Sequence, residues 1–354
     1  MSLLITGGLG FLGLQTARQF LRRGRVWSPR FKASIPIEQI TLFDRHLPEH
    51  DLPEDITSDS RVRIMTGDLT EEGVANEIVD DDSLAVVHLA SMVSGDTEQD
   101  HLRGWMVNVE GQRSLLEALR VQAPGSRFLF TSSTAALGPV PDDAADGADD
   151  LTKLLPQNTY GFHKAVCELM VNDYARREFV DARCLRLPVV VVRPGAPNAA
   201  LTGAWSSVVR EPLNGEDCII PIPMDVRLPV ASYQTVVANI AHLLDDVESS
   251  DLGADRNLML PSLSASPREL YDAATALAEA EGIAVGTAKA KAQELATRIV
   301  TGMGERSNGS RAEALGCVRD ESPESIVRAY AEDYVLKRGG GGVLETVLGG
   351  SRLA

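Results

Sequence analysis

The sequence predicts an α/β fold: a doubly wound parallel sheet, then a smaller C-terminal α/β domain for substrate. Three features predict it. Short, nearly continuous apolar runs alternate with amphipathic segments through the first half of the chain, and strands apolar along their whole length belong to sheets covered on both faces. The first run leads into a glycine-rich turn and then an amphipathic stretch, the order that opens a nucleotide-binding βαβ unit. After Pro194 the alternation stops and loops dominate.

Taken in order, "SLLIT" is the first strand and "FLGLQTARQFLRRG" the helix behind it. "QITLFD", "VRIMTGD", "LAVVHLA" and "RFLFTSS" follow as strands, with "NVEGQRSLLEALRV" as a helix before the last of these. A helix opens at "NTYGFHKAVCEL", and "RCLRLPVVVVRP" is the sixth strand. β-branched and aromatic residues at these positions suit a pleated, buried surface. "PDDAADGADD", residues 141–150, reads as an exposed acidic loop. Beyond Pro194, "PGAPNAALTGAWSSVVREPLNGED" holds one helical piece, "CIIPIPMDVRLPVAS" irregular strands, and "YQTVVANIAHLLDDV" a helix. Further helices run from Ser266 to about Leu295. The last ordered helix starts with Ser322 as cap and Pro323 at its first position, where a missing N–H costs nothing. The expected division is a cofactor domain over 1–187, with 226–250 returning to it. A substrate domain takes 188–225 and 251–336, and 337–354 is a flexible, glycine-punctuated tail.

Composition narrows the function. The 354 residues carry 50 Asp and Glu against 34 Lys and Arg, a net charge of −16. That acidity speaks against nucleic-acid or anionic-membrane partners, which need a basic patch. Cys167, Cys184, Cys218 and Cys317 show no CxxC spacing and no His-Cys cluster, so free buried thiols are expected and no metal site. No basic segment precedes an apolar run at the start, and no apolar stretch is long enough to span a membrane. The cytoplasm is the default compartment.

In "LLITGGLGFLG", Gly7, Gly10 and Gly13 stand at every third position between strand and helix. A pyrophosphate must approach backbone N–H groups closely there, and a Cβ would obstruct it. With Phe11 and Leu12 at the helix start, this turn is the expected cofactor cradle. Asp44 ends the second strand in "TLFDRH". A carboxylate there accepts hydrogen bonds from ribose hydroxyls and repels a 2′-phosphate, which favours NAD. Arg45, next door, leaves NADP open. Asp44 lies further from the glycines than the usual fingerprint, and "WSPRFKASIPIE" has the look of an insertion that fills the gap.

Tyr160 and Lys164 are four apart and so share one helix face. A phenol with its pKa near 10 is a poor base at neutral pH, and a nearby ammonium stabilises the phenolate. "FLFTSSTAALG" offers Thr131, Ser132 and Ser133 at a strand end to orient a substrate hydroxyl.

The glycine spacing, followed in order by the strand-end serines and the YxxxK pair, resembles the extended short-chain dehydrogenase/reductase (NAD-dependent epimerase/dehydratase) family. The resemblance implies a Rossmann domain that binds NAD and a homodimer formed through a helix pair. It implies Ser133 as the catalytic serine, with Ser132 second, and Asn108 as the helix asparagine that helps hold Lys164. Tyr160 and Lys164 contact the cofactor as well. Asp68 and Leu69 match the pair at the adenine, Leu89 and Ala90 in "VVHLAS" the segment under the cofactor, and Pro188 a residue beside it. His88 is expected to be a structural hydrogen-bonder, and His163 to lie on the surface. The family's dehydratases carry Asp-Glu after the catalytic residue; Thr134 and Ala135 stand here, so dehydration is disfavoured.

"HLASMVSG", "VRPGAPN", "REPLNGE" and "RAEALG…SIVRAYAED" are similar to the D-erythronate dehydrogenase group. This implies oxidation of the 2-hydroxyl of a small sugar acid by NAD. Candidates to hold that acid are Ser94, Ser133, Asn198, Arg210 and Arg227. "LTGAWSSVV" around Trp205 and "MGERSNGS" near Ser307 depart from the group and are expected to border the pocket. Two other readings stay open: a nucleotide-sugar 4-epimerase with tightly bound NAD, and a catalytically inactive NAD-binding sensor.

Overall fold

A computed structural model describes residues 1–49, 51–82, 84–140, 146–195 and 201–336. Half of the acidic loop, Asn198 and the expected tail from residue 337 lie outside the described residues.

The main sheet is formed by β1 (Ser2–Thr6), β2 (Gln39–Asp44), β3 (Val62–Thr66), β4 (Leu84–His88), β5 (Arg127–Ser133), β6 (Asp181–Leu187) and β7 (Asn257–Met259). Its order is β3-β2-β1-β4-β5-β6-β7, and every pair is parallel. Strand order reverses between β1 and β4, and a doubly wound sheet opens its binding crevice at that point, beyond the strands' C-terminal ends. Thr6 is in register with His88, and Ser133 with Leu187, so the loops that leave these strands meet along one edge.

Side chains alternate across the strands and each face takes its own helices. Leu3, Ile5, Ile40 and Leu42 pack with Ala17 and Phe20 of α1 (Phe11–Arg23). Leu4, Val86, Phe128 and Phe130 pack with Leu115 and Leu119 of α2 (Gly111–Gln122) and Cys167 and Val171 of α3 (Thr159–Arg176). A separate core forms from Val189, Val191, Trp205 and Val208 of α4 (Ala204–Leu213), Leu270 and Ala274 of α6 (Pro267–Glu281), and Ile326 and Tyr330 of α7 (Pro323–Tyr334). Between α4 and α6, α5 (Tyr233–Asp245) sends Val236, Ile240 and Leu244 back to the first core. Ser322 caps α7 by accepting from the Ser325 N–H.

Five details differ from or refine the sequence reading. The insertion is an antiparallel hairpin, Arg25–Ser28 with Ala33–Pro36, whose Trp27 ring lies 3.6 Å from the buried Arg127 guanidinium. "RCLRLPVVVVRP" is broken at Pro188, which has no N–H to give the ladder; its second piece, Val189–Val191, pairs instead with Leu228–Ser232. Trp205 does not border a pocket: it is fully buried, and its Nε1 donates to the Ala265 carbonyl at 2.9 Å. A strand at Ala288–Ala290 pairs with Cys218–Ile220, and "AKA" carries no β signature to announce it. Ser307 meets Ala148 in a parallel bridge, which straps the 303–309 segment over the end of the acidic loop.

Candidate active site

The turn between β1 and α1 is built without side chains. Gly7 has φ +68°, and a Cβ on it would stand 2.8 Å from the Ala90 nitrogen. A Cβ on Gly13 would stand 2.3 Å from the Gly7 carbonyl oxygen. Gly8, which the every-third-residue pattern passed over, is equally constrained: its Cβ would meet the Ile5 oxygen at 2.6 Å. Gly10 is the N-cap of α1 and provides no side-chain acceptor, so the first N–H groups of the helix stay available to an anion. Phe11 packs edge-on against Tyr233 with ring centroids 4.9 Å apart, and Leu12 joins the first core. Leu89 and Ala90, half-buried, close the floor against Gly7.

Asp44 accepts from the Leu9 N–H at 3.1 Å and from the Arg45 N–H at 2.8 Å, which fixes its carboxylate at the mouth of the turn. Asp68 accepts from the Thr70 N–H and hydroxyl at 3.0 and 2.7 Å and from Arg103 at 2.5 Å. Burial raises the Asp68 pKa, but the hydrogen bonds from Thr70 and Arg103 outweigh it and hold the carboxyl below its usual range. Arg45 reaches toward Asp68, 3.4 Å away. Arg103 escaped the sequence reading because only the fold brings it to Asp68. Leu69 is buried beside this pair, and Pro188 is buried at the end of β6. Asp44→Ala is expected to weaken NAD binding roughly 10- to 100-fold, the range for losing hydrogen bonds to a charged group. A fluorescence titration with NAD and NADP checks this; a wild-type preference for NAD that is unmoved by the substitution would refute it.

The second half of the site gathers at the end of β5. Asn158 caps α3, accepting from the Gly161 N–H at 2.8 Å. A Cβ on Gly161 would lie 2.1 Å from the Ala135 oxygen, so glycine after Tyr160 lets α3 start against the turn that follows Ser133. That pairing was present in "TYGFHK" but has no sequence signature of its own. Lys164 is buried, donates from Nζ to the Thr131 carbonyl at 2.8 Å, and has its Nζ 5.4 Å from the centroid of the Tyr160 ring. Ser133 is half-buried and its Oγ accepts from the Ala135 N–H at 3.1 Å, which leaves its proton for a ligand. Ser132 points the other way, as successive strand residues must. It donates to Glu168 at 2.6 Å, and Arg186 holds that carboxylate at 2.8 and 3.0 Å in a buried ion pair.

Asn108 sits in a π-helical turn, Met106–Glu110, just before α2. Its Oδ1 accepts from the Met92 N–H at 2.7 Å and its Nδ2 donates to the Met92 carbonyl at 3.1 Å, so it pins the loop after β4. The Cys167 thiol donates to the Asn108 carbonyl. The four cysteines are unpaired, and no metal-binding cluster occurs among the described residues.

His163 is not on the surface. It is fully buried, next to His101 and Trp105 and 3.4 Å from the Asn108 amide. The face of α3 that carries Lys164, Cys167 and Val171 is inserted in the protein, and His163 lies on it. Burial first, then the charges of His101 and Lys164, lower its pKa to about 4. His88 is buried with its Nδ1 2.6 Å from the Thr6 hydroxyl, and burial with the Lys164 charge takes its pKa to about 3.

Unfolded histidine binds a proton near pH 6.5, while folded His88 resists until about 3. Its contribution to stability is therefore whole above about pH 6.5 and is lost as pH falls through that window, by up to about 1.4 kcal/mol per pH unit. Melting temperatures from about pH 7 down to about pH 4 should fall more steeply for wild type than for His88→Gln. Parallel curves would refute this.

Of the residues proposed for substrate, Ser94 is half-buried at the start of the helix Ser94–Gln99, and its carbonyl accepts from the Thr97 hydroxyl. Arg210 is buried and already engaged, with Glu211 at 2.6 Å and the Arg193 carbonyl at 2.8 Å. Arg227 is likewise occupied by Glu269 at 2.8 Å and by Ser264. Both guanidiniums are spent on the protein.

Residues 3–258 match the model of the NAD dependent epimerase/dehydratase family. The chain belongs to that family. It is 38% identical over 96% of its length to the D-erythronate dehydrogenase of Cupriavidus necator, all of which is covered. It is 34% identical over 94% of its length to the D-erythronate dehydrogenase of Haemophilus influenzae, 99% of which is covered. Among solved structures, a nucleoside-diphosphate-sugar epimerase from Agrobacterium tumefaciens is similar at a TM-score of 0.83 and 31% identity, over 96% of this chain and 95% of that one. The family's cofactor is NAD, and the side-chain-free turn with its uncapped helix fits a dinucleotide pyrophosphate. Among the described residues no helix is long and apolar enough to cross a membrane.

Proposed function

We propose that this protein oxidises the 2-hydroxyl of a small sugar acid, D-erythronate or a close relative, to the 2-keto acid. The observation that carries this reading is the buried Lys164 ammonium held between the Tyr160 ring and the carbonyl of Thr131, on the strand that ends in Ser133. Near-full-length similarity to two D-erythronate dehydrogenases supports the substrate class. Bound NAD supplies the acceptor for the hydride leaving C2. Ser133 donates to the substrate oxygen and orients it. Tyr160 takes the hydroxyl proton, and the Lys164 charge stabilises the phenolate that does so. Asn108 keeps the loop after β4 in place beneath the cofactor. Gly7, Gly10, Phe11, Leu12 and Gly13 receive the pyrophosphate, Asp44 the ribose and Asp68 with Leu69 the adenine; Leu89, Ala90 and Pro188 line the remainder.

The expected division into a cofactor domain, 1–187 with 226–250, and a substrate domain, 188–225 with 251–336, is kept with one correction: β7 and Leu258, Leu260, Ala312 and Cys317 belong with the cofactor sheet and its core, and Leu228 and Val230 with the second core. A homodimer in the cytoplasm completes the proposal. Exposed Val121 and Leu169, near α2's C-terminal end and on α3, suit a helix-pair interface, and light scattering tests it. The function is tested by following NADH formation spectrophotometrically over four- to six-carbon sugar acids. D-erythronate or a near relative should reduce added NAD stoichiometrically. No reduction across the panel, with epimerisation of a UDP-sugar instead, would overturn the proposal in favour of a 4-epimerase.

A further inference from the structure

A cation withdrawn from water is costly unless an anion meets it. Among the described residues, every arginine that is not exposed has a carboxylate oxygen within 4.0 Å, with one exception. The exception is Arg193. Arg193 is half-buried as a residue, and its guanidinium makes neither an ion pair nor a side-chain hydrogen bond among the described residues. The ten residues that follow it, "PGAPNAALTG", contain no acid that could serve. Burial and the neighbouring Arg210 charge both disfavour its protonated form.

The backbone of Arg193 is fixed, although its side chain is uncommitted. Its N–H donates to the buried Ser206 hydroxyl at 3.1 Å, and its carbonyl accepts from Arg210 at 2.8 Å. The chain reaches it directly from the catalytic edge of the sheet, since Leu187 is in register with Ser133. Pro188 and the strand Val189–Val191 then lead to Arg193, with Val190 packed on the first core and Val189, Val191 and Val192 on the second. The residue thus leaves the seam where the two cores meet.

We propose that Arg193 receives the carboxylate of the substrate, as the specificity-determining cation for a small 2-hydroxy acid. This rests on the sugar-acid reading above. A guanidinium fork binds a carboxylate through two parallel hydrogen bonds, and a substrate gripped at C1 presents its C2 hydroxyl in a defined place. Arg210, tied to Glu211, is a support for Arg193 and not a second receptor.

Calorimetric titration of D-erythronate into the enzyme–NADH complex tests this without turnover. Arg193→Met should bind the acid roughly 10- to 100-fold more weakly, with NADH affinity unchanged. Arg193→Lys, which keeps charge but not the fork, should fall between. The neutral amide of D-erythronate should bind wild type and both variants alike. In turnover the loss should appear in KM for the acid more than in kcat. Retention of acid affinity within about threefold in Arg193→Met would overturn the proposal. So would equal loss of amide and acid, or greater loss of UDP-sugar than of acid. If Met disturbs NADH binding, Arg193→Lys decides by the same criteria. A wild type that binds D-erythronate through Arg193 but forms no NADH would overturn the oxidation reading and leave this one standing.

Discussion

Tyr160→Phe is expected to lower kcat by roughly three orders of magnitude, within the range for losing a general base. The loss should come without a loss of NAD affinity or of melting temperature. Tyr160 is half-buried and its hydroxyl makes no hydrogen bond among the described residues, so removing its oxygen leaves no described group unsatisfied. Its phenol is useful only through its neighbour. Lys164 Nζ is anchored on the Thr131 carbonyl, which holds its charge 5.4 Å from the centroid of the Tyr160 ring. Stopped-flow and steady-state rates on D-erythronate measure the effect. Activity within about tenfold of wild type would show that Tyr160 is not the base.

Gly13→Ala should have the second large effect, and of another kind. The added methyl would stand 2.3 Å from the Gly7 oxygen and 2.6 Å from the Gly8 Cα. Both are backbone atoms at the heart of the cofactor turn, so no flexible side chain can give way. The turn must open, at a cost of about 1–3 kcal/mol or more. NAD affinity should fall at least as far, because the turn that opens is the one that faces the pyrophosphate. Thermal melts with and without NAD separate the two: a lowered apo melting temperature and little or no rise on adding NAD are expected. An apo stability and NAD-induced rise equal to wild type would refute it. Gly10, whose nearest atom lies at 3.3 Å, should tolerate alanine better.

Most of the sheet was legible because its strands are buried on both faces and therefore apolar from end to end, a pattern that survives without any knowledge of neighbours. The glycines of the turn and the Tyr160–Lys164 spacing were legible for a similar reason. Each is a constraint between residues close in sequence, imposed by a tight turn or by one helical revolution. The strand at Ala288–Ala290 was not, since three residues of low β-propensity pair only because Cys218–Ile220 is there to receive them. His163 was misplaced by the assumption that a polar residue between Tyr160 and Lys164 faces water. The helix that carries it is driven into the protein on that side by Cys167 and Val171.

The sequence by itself determined the doubly wound fold, the nucleotide turn, the favoured cofactor and the hydride-transfer class, all of which depend on local spacing and on which residues must avoid water. Only the tertiary structure decided that Ser132 turns into the protein, because Glu168 and Arg186 claim it from distant parts of the chain. It decided also which arginines are free. Arg210 and Arg227 read as substrate cations until Glu211 and Glu269 are seen to hold them, and among the described residues Arg193 stands out only once every other arginine that is not exposed has found its carboxylate. Charge pairing is settled by distance in space, which neither composition nor periodicity encodes.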